Sequence, residues 1–469
     1  MSSLPEGSRL VLDPSVRSFR DGTVLVGGQP GRLLTLTRPG VSALARLTGQ
    51  EPTTAAERQL GQRLVEAGLA HPERMASVPA STTVGRVTVV IPVKDRSQSL
   101  DRCLSSIGAT HPVVVVDDGS LDPTAIAAVC ATHGARLIVR PVNGGPGAAR
   151  NDALAIVATE LVALVDSDCT VDPSWLDETV WLFDDPTIGA VAPRVRPEDS
   201  TVAGQRSALA RFLAVRSPLD MGATPGEVGP DRAVRYLPSA ALVIRREALA
   251  EGFDPGLRVG EDVDLVWRLV LAGWRVRYQP GATVWHTEPS SWLEVLSRRL
   301  RYGTSAGPLA LRHPGRLAPL EIRPWPLAVV AAVAARRPGW AVTLWLGSTA
   351  AMEKSLGGHG IPLSLIARWS ATSVGWTVVG VGRAATTLAA PVLVAAGLRG
   401  RWAALVGVGL VATPPMVEWK RRRPALDPVR FTLASVADDV AYGVGVWIGC
   451  VRARSLGPLL PSLRLKPSM

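Results

Sequence analysis

The chain has 469 residues, enough for two or three domains. Its four cysteines, Cys103, Cys130, Cys169 and Cys450, form no CxxC pair, which argues against a disulfide scaffold, a thiol redox motif or a cysteine zinc cage and favours reduced thiols. With 47% hydrophobic and 19% charged residues and a mean hydropathy of +0.19, it is too apolar for disorder, and part of it should meet lipid.

The net charge of +11 is unevenly placed. Up to Glu294 there are 29 Lys and Arg against 34 Asp and Glu, whereas from Arg298 to Arg430 there are 18 against 4. The basic part is also the apolar part. No aromatic-and-basic stacking pattern or recognition helix accompanies it, so an anionic membrane surface fits better than nucleic acid. The N-terminus, MSSLPEGSRLVLDP, lacks an apolar core, which places the expected site of action at the cytoplasmic face of the cell membrane.

Residues 1–76 read as a separate unit, followed by a Pro-, Ser- and Thr-rich linker over 77–86. Short strand-like runs at Arg9–Leu12, Thr23–Val26 and Leu33–Leu36 precede helical patterns at Pro39–Leu47 and Ala55–Ala67. This order resembles the winged-helix domains related to PqqD, and the resemblance implies a peptide-recognition role; a plain cap on the next domain is the alternative.

From Val87 the pattern becomes β/α, within a domain expected over 87–311. The runs Val87–Ile91, Val113–Val116, Arg136–Val139 and Leu161–Val165 are short, apolar and β-branched, as buried parallel strands require. Helical patterns at Leu100–Ile107, Pro123–Thr132 and Gly147–Ala158 separate them. The fold class is α/β and doubly wound, so ligands belong at the carboxyl ends of the strands. Residues 312–469 read as an apolar, basic helical region that is membrane-associated. Its apolar stretches, Trp325–Ala335, Gly339–Met352, Trp369–Gly382, Ala384–Leu398 and Trp402–Trp419, are each broken before the ~18 to 20 clean residues of a spanning helix. Interfacial, re-entrant and imperfect spans therefore all stay open, as does a soluble helical bundle.

Three strand or helix ends carry acidic clusters. Asp117-Asp118-Gly119-Ser120 follows the second strand, where a carboxylate can accept a hydrogen bond from a ribose hydroxyl or a base N–H. Asp166-Ser167-Asp168 follows the fourth; side chains at i and i+2 share a face, and two carboxylates there can hold a hard divalent cation against a diphosphate. Gly260-Glu261-Asp262-Val263-Asp264 opens a helix, where one acid can serve as the base that takes a proton from a sugar hydroxyl. Asp262 is expected to be ionised by the helix dipole. The bland alternatives are an Asp-rich helix cap, a solvated turn and a dipole-matched helix start.

Together with VTVVIPVKD (Val87–Asp95) and NGGPGAARN (Asn143–Asn151), these motifs stand in the order and spacing of the family 2 glycosyltransferases, which the stretch Val87–His286 resembles. The resemblance implies a GT-A fold, a divalent metal (Mn²⁺ or Mg²⁺) and an inverting transfer from a nucleotide sugar. Carried over residue by residue, it puts Pro92, Asp117, Asp118, Arg150 and Asp166 in the nucleotide pocket and Asp166 and Asp168 on the metal diphosphate. Asp262 becomes the base, with Glu261 as runner-up. His286 stands where several such enzymes carry a further metal ligand, and an imidazole suits Mn²⁺ better than Mg²⁺. Arg298-Arg299-Leu300-Arg301-Tyr302 resembles a relaxed QxxRW acceptor motif.

With its PqqD-like front end, its family 2 core, the stretch RYGTSAGPLALRHPG (Arg301–Gly315) and its apolar basic tail, the chain is similar over nearly its full length to the glycosyltransferases of mycofactocin systems. That likeness implies UDP-glucose as donor, a mycofactocin precursor or redox core as acceptor and a β-linked oligosaccharide as product. Two other readings compete: a cell-envelope galactofuranosyl- or rhamnosyltransferase acting on a lipid-linked acceptor, and a non-catalytic peptide- or nucleotide-binding module. The glycine stretch at Gly145-Pro146-Gly147 lacks the third glycine of GxGxxG, which weakens the last of these.

Overall fold

A computed structural model describes residues 4–75, 83–198, 207–249 and 251–463. Most of the expected linker, residues 77–82, lies outside them. The chain divides into two compact units, one of residues 1–199, 216–288 and 468–469, the other of residues 200–215 and 289–467.

The first unit opens with β1 (Ser8–Leu12), β2 (Arg17–Phe19), β3 (Val24–Gly27), β4 (Arg32–Thr35), α1 (Arg38–Leu47), α2 (Ala55–Glu66) and β5 (Ala70–Arg74). β2, β3 and β4 form an antiparallel sheet, and β1 pairs with β5. Thr37 caps α1, and Thr54 and Glu57 form a reciprocal capping box on α2, satisfying N–H groups that a helix start leaves unpaired. Leu10, Leu25, Leu47, Leu64 and Leu69 fill the core. Arg74 bonds Glu178 at 3.0 Å, fixing these elements to the remainder of the unit.

That remainder comprises β6 (Val87–Val93), α3 (Ser97–Ile107), β7 (Val113–Asp117), α4 (Pro123–Thr132), β8 (Arg136–Val139), α5 (Pro146–Leu154), β9 (Leu161–Val165), β10 (Cys169–Val171), α6 (Asp177–Val180) and β11 (Ile188–Pro197). After α7 (Ala208–Arg216), which lies almost wholly in the second unit, come β12 (Gly226–Glu227), β13 (Ala241–Arg245), α8 (Glu261–Leu271) and β14 (Arg275–His286). The sheet order is β10-β14-β11-β13-β9-β6-β7-β8, with β12 on β14. β8, β7, β6 and β9 are parallel. β13 runs against β9 and β11, so the sheet is mixed.

The core is a mixed α/β sandwich of the GT-A kind. β6 continues to β7 on one side and borders β9 on the other, and the crevice at such a reversal is where open α/β sheets take ligands. Val87, Val89, Ile91, Val115, Ala163 and Val165 are buried within this layer, which explains the runs of branched apolar residues. All four cysteines are free and buried.

The second unit holds α9 (Trp292–Gly303), α10 (Ala306–Arg312), β15 (Glu321–Ile322), α11 (Pro324–Ala334), α12 (Pro338–Leu356), α13 (Leu363–Gly397), α14 (Arg401–Arg422), α15 (Pro428–Ala453) and β16 (Ser462–Leu463). α13, α14 and α15 are long and apolar enough to cross a bilayer. The sequence patterns Trp369–Gly382 and Ala384–Leu398 are one helix, α13, continuous through Arg383 and bent at Ala389 ahead of Pro391, where proline removes a backbone donor. α15 is absent from the sequence reading because Asp438 and Asp439 interrupt its hydropathy; both are buried, and Arg299 Nε lies 2.7 Å from Asp438 Oδ1.

Candidate active site

The carboxyl ends of β6, β7 and β9 bring Pro92, Asp117-Asp118 and Asp166-Ser167-Asp168 to one edge of the sheet. Pro92 is half-buried one residue before the end of β6. At the end of β7, Gly119 turns the chain at φ +73°, and a Cβ there would stand 2.9 Å from the Asn143 nitrogen. Only glycine fits such a turn without strain.

The two aspartates of this turn have different surroundings. Asp118 accepts from Gly144 N at 2.9 Å and Gly145 N at 2.8 Å and lies 3.3 Å from the Arg140 guanidinium, so it holds the glycine loop in place. Asp117 accepts from Ser120 N at 2.9 Å through Oδ1, while its buried Oδ2 has no hydrogen-bond partner. A buried acceptor without a donor is costly, and a ligand N–H or O–H would relieve it.

Arg150, on α5, is fully buried and joins two motifs far apart in sequence. It donates to Asp166 Oδ1 at 2.6 Å and to Glu261 Oε1 at 3.2 Å, and it stacks on Phe253 with 5.3 Å to the ring centroid. Asn151 fixes Phe253 by two bonds, accepting from its N at 2.8 Å and donating to its O at 2.7 Å. Burial works against the Arg150 cation, and Asp166 and Glu261 more than offset it, so its pKa rises. The guanidinium expected in the nucleotide pocket is thus engaged by carboxylates, because a buried charge requires paired partners.

Glu261 and Asp262 start α8 after Gly260, whose φ of +81° lets the chain enter the helix sharply. Asp262 is half-buried and accepts from Val263 N at 2.8 Å. Burial raises the Asp262 pKa, against the expected pull of the helix start toward the ionised form. Burial first, then the neighbouring Asp262 charge, push Glu261 up to about 7. Asp166 is raised by burial and by Asp168, against the pull of Arg150. Desolvation is the largest influence on all three acids.

Asp168 forms an ion pair with Arg96. Its Oδ2 lies 3.6 Å from His286 Nε2, and His286 Nδ1 lies 3.6 Å from Glu288 without a hydrogen bond to any partner. Burial alone would lower the His286 pKa, but Asp168 and Glu288 push it up to about 9. Among the described residues, no three His, Cys, Asp or Glu side chains are grouped as a metal cage. Asp168 Oδ2 and His286 Nε2 nevertheless lie side by side, and with the ring deprotonated this oxygen and nitrogen pair fits one edge of a Mn²⁺ shell. Arg96, Phe253 and Glu288 escape the sequence reading. Only Arg96 carries a usable signal, as the residue directly after the first strand motif.

Residues 88–253 match the family described as Glycosyl transferase family 2. A pre-mycofactocin glycosyltransferase of Mycobacterium tuberculosis is 35% identical over 501 aligned positions, spanning 98% of this chain and 99% of that protein. An uncharacterized glycosyltransferase of Mycobacterium bovis is 30% identical over 40% of this chain and 81% of its own length. Among solved structures, a mannosyltransferase of Pyrobaculum calidifontis in complex with GDP-Man and Mn²⁺ aligns with a TM-score of 0.39 at 21% identity, over 66% of this chain and 87% of that one. The chain is a glycosyltransferase of family 2, and it belongs, within that family, to the pre-mycofactocin glycosyltransferases. The full-length relationship sets aside the envelope transferase and the non-catalytic module.

Proposed function

We propose that this chain transfers glucose from UDP-glucose to pre-mycofactocin, a peptide-derived redox cofactor precursor, with inversion at the anomeric carbon, and extends the product into a β-linked oligosaccharide. The observation that carries this reading is the Arg150 bridge, which ties Asp166 of the diphosphate motif to Glu261 beside the base, in a chain related end to end to a pre-mycofactocin glycosyltransferase.

In this reading Pro92 shapes the nucleotide pocket, Asp117 accepts a hydrogen bond from the nucleoside through Oδ2, and Asp118 holds the loop that shapes its rim. Arg150 keeps Asp166 oriented toward the diphosphate. Asp168 and His286 would hold a divalent cation, which would supply positive charge beside the departing UDP. Asp262 takes the proton of the acceptor hydroxyl as its oxygen closes on the anomeric carbon. A pKa raised by burial makes Asp262 a stronger base than an exposed carboxylate, provided it is ionised when substrate is bound. Glu261, engaged by Arg150, is the runner-up for that role.

Residues 1–76 serve as a PqqD-like domain that presents the peptide-derived acceptor, joined by residues 77–86 to the transferase domain at 87–311. Residues 312–469 attach the enzyme to the cytoplasmic face of an anionic membrane. Lys420, Arg421, Arg422 and Arg423 at the end of α14 support that orientation. Incubating the purified protein with Mn²⁺, a pre-mycofactocin acceptor and a panel of nucleotide sugars, read by mass spectrometry, tests the proposal. Hexose increments from UDP-glucose are expected; transfer only from another donor, or none, overturns it.

A further inference from the structure

Arg96 stands where β6 hands over to α3, and its placement breaks two local rules. Helix starts favour Ser, Asp or Asn caps and negative charge, yet this position holds a cation that makes no side-chain capping bond. The residue before it, Asp95, has φ +55°, in the left-handed region that non-glycine residues seldom adopt. Three bonds to the turn after β7 hold this conformation. Lys94 Nζ donates to Gly119 O at 3.1 Å, Asp95 N donates to Ser120 Oγ at 2.8 Å, and Leu121 N donates to Asp95 Oδ1 at 2.6 Å. The outcome is a guanidinium delivered to the Asp168 carboxylate. Its side chain is still 48% exposed, whereas Asp168 is 13% exposed. Rule-breaking of this kind concentrates where a residue is used for something other than folding.

We propose that Arg96 is a displaceable counter-ion. In the ligand-free enzyme it neutralises Asp168 in the position a divalent cation takes, and when metal and nucleotide arrive it moves to the diphosphate oxygens. The inference rests on the reading of Asp168 as a metal ligand. Two cations cannot share one carboxylate without repulsion, so the guanidinium and the metal compete for Asp168. An ion pair with a half-exposed partner is weakly held and exchanges readily. Once released, the planar fork of arginine matches two phosphate oxygens, and the diphosphate would lie beside the metal the arginine has just left.

Competition and recruitment make opposite demands, and that separates this role from a structural one. Titration calorimetry on the full-length protein in detergent would measure Mn²⁺ alone and then UDP at saturating Mn²⁺, for wild type, Arg96→Ala, Arg96→Lys and Asp168→Asn. Removing the competitor should tighten Mn²⁺ binding to Arg96→Ala several-fold. Losing a charge-assisted phosphate contact should weaken its UDP binding about tenfold, with Arg96→Lys intermediate on both. If Arg96→Ala changes neither affinity, the pair is a surface ion pair and the proposal falls. If it weakens both, or fails to fold while Arg96→Lys also weakens both, Arg96 is a loop scaffold and the proposal falls. Asp168→Asn separates the two layers. If Mn²⁺ binding survives that change, the metal reading fails; if it is lost while Arg96→Ala changes neither affinity, only the role of Arg96 fails.

Discussion

At the residue scale, burial is the largest influence on the acids that begin α8. Asp262→Asn keeps size and hydrogen bonding but cannot take the acceptor proton, so transfer should fall by ~10² to 10⁴. UDP affinity by calorimetry should stay near wild type, because the nucleotide is held elsewhere. Near-normal transfer by this variant together with a dead Glu261→Gln would move the base by one residue. Glu261 also makes a pH prediction with a fixed sign. Its pKa in the folded chain is raised from 4.5 to about 7, so the folded state holds this proton more tightly than the unfolded state. The stability it contributes is complete below about 4.5 and is lost as pH rises through about 7. The thermal midpoint of the ligand-free wild type should therefore decline more over that window than that of Glu261→Gln; parallel profiles would contradict the assignment.

At the element scale, backbone approach governs the second unit. Gly445 of α15 lies against the Leu300 carbonyl of α9, and Gly449 against that of Thr304, so closely that a Cβ at either would clash with backbone. Small residues allow such contacts between helices. Gly445→Ala should lower the thermal midpoint in detergent, at the scale of overpacking, about 1 to 3 kcal/mol; an unchanged midpoint would contradict this packing.

The legibility of elements in the sequence follows the same physics. The four parallel strands and α4 can be read almost to the residue; β6, β7 and β9 are buried and need uninterrupted branched apolar runs, and the edge strand β8 is half-exposed yet keeps the same kind of run. β13 and β14 went unread as sheet members, since their pairing depends on partners distant in sequence. α15 was hidden by Asp438 and Asp439, whose charges are met by tertiary contacts such as Arg299. In the site, the acidic motifs were visible as spacing at strand ends. The Arg150 bridge and the Arg96 pair were not, because a residue's partners are set by the fold.

At the scale of the whole molecule, the three helices among the described residues able to span a bilayer and the basic cluster at the end of α14 predict tight membrane association. Full-length protein should sediment with anionic vesicles and need detergent for extraction, and salt should weaken any peripheral share of the binding. A protein that stays monodisperse without detergent and ignores such vesicles would show the tail to be an ordinary helical bundle.

The central claim, inverting transfer at the site built on Asp117, Asp166, Asp168 and Asp262, meets its most direct test in the anomeric configuration of the product. UDP-glucose carries an α-linked sugar, so the proton NMR spectrum of the glycosylated acceptor should show a β-anomeric coupling with wild-type protein. That signal should be all but absent with Asp262→Asn. An α-linked product, or a β-linked one formed equally well by Asp262→Asn, would contradict the account.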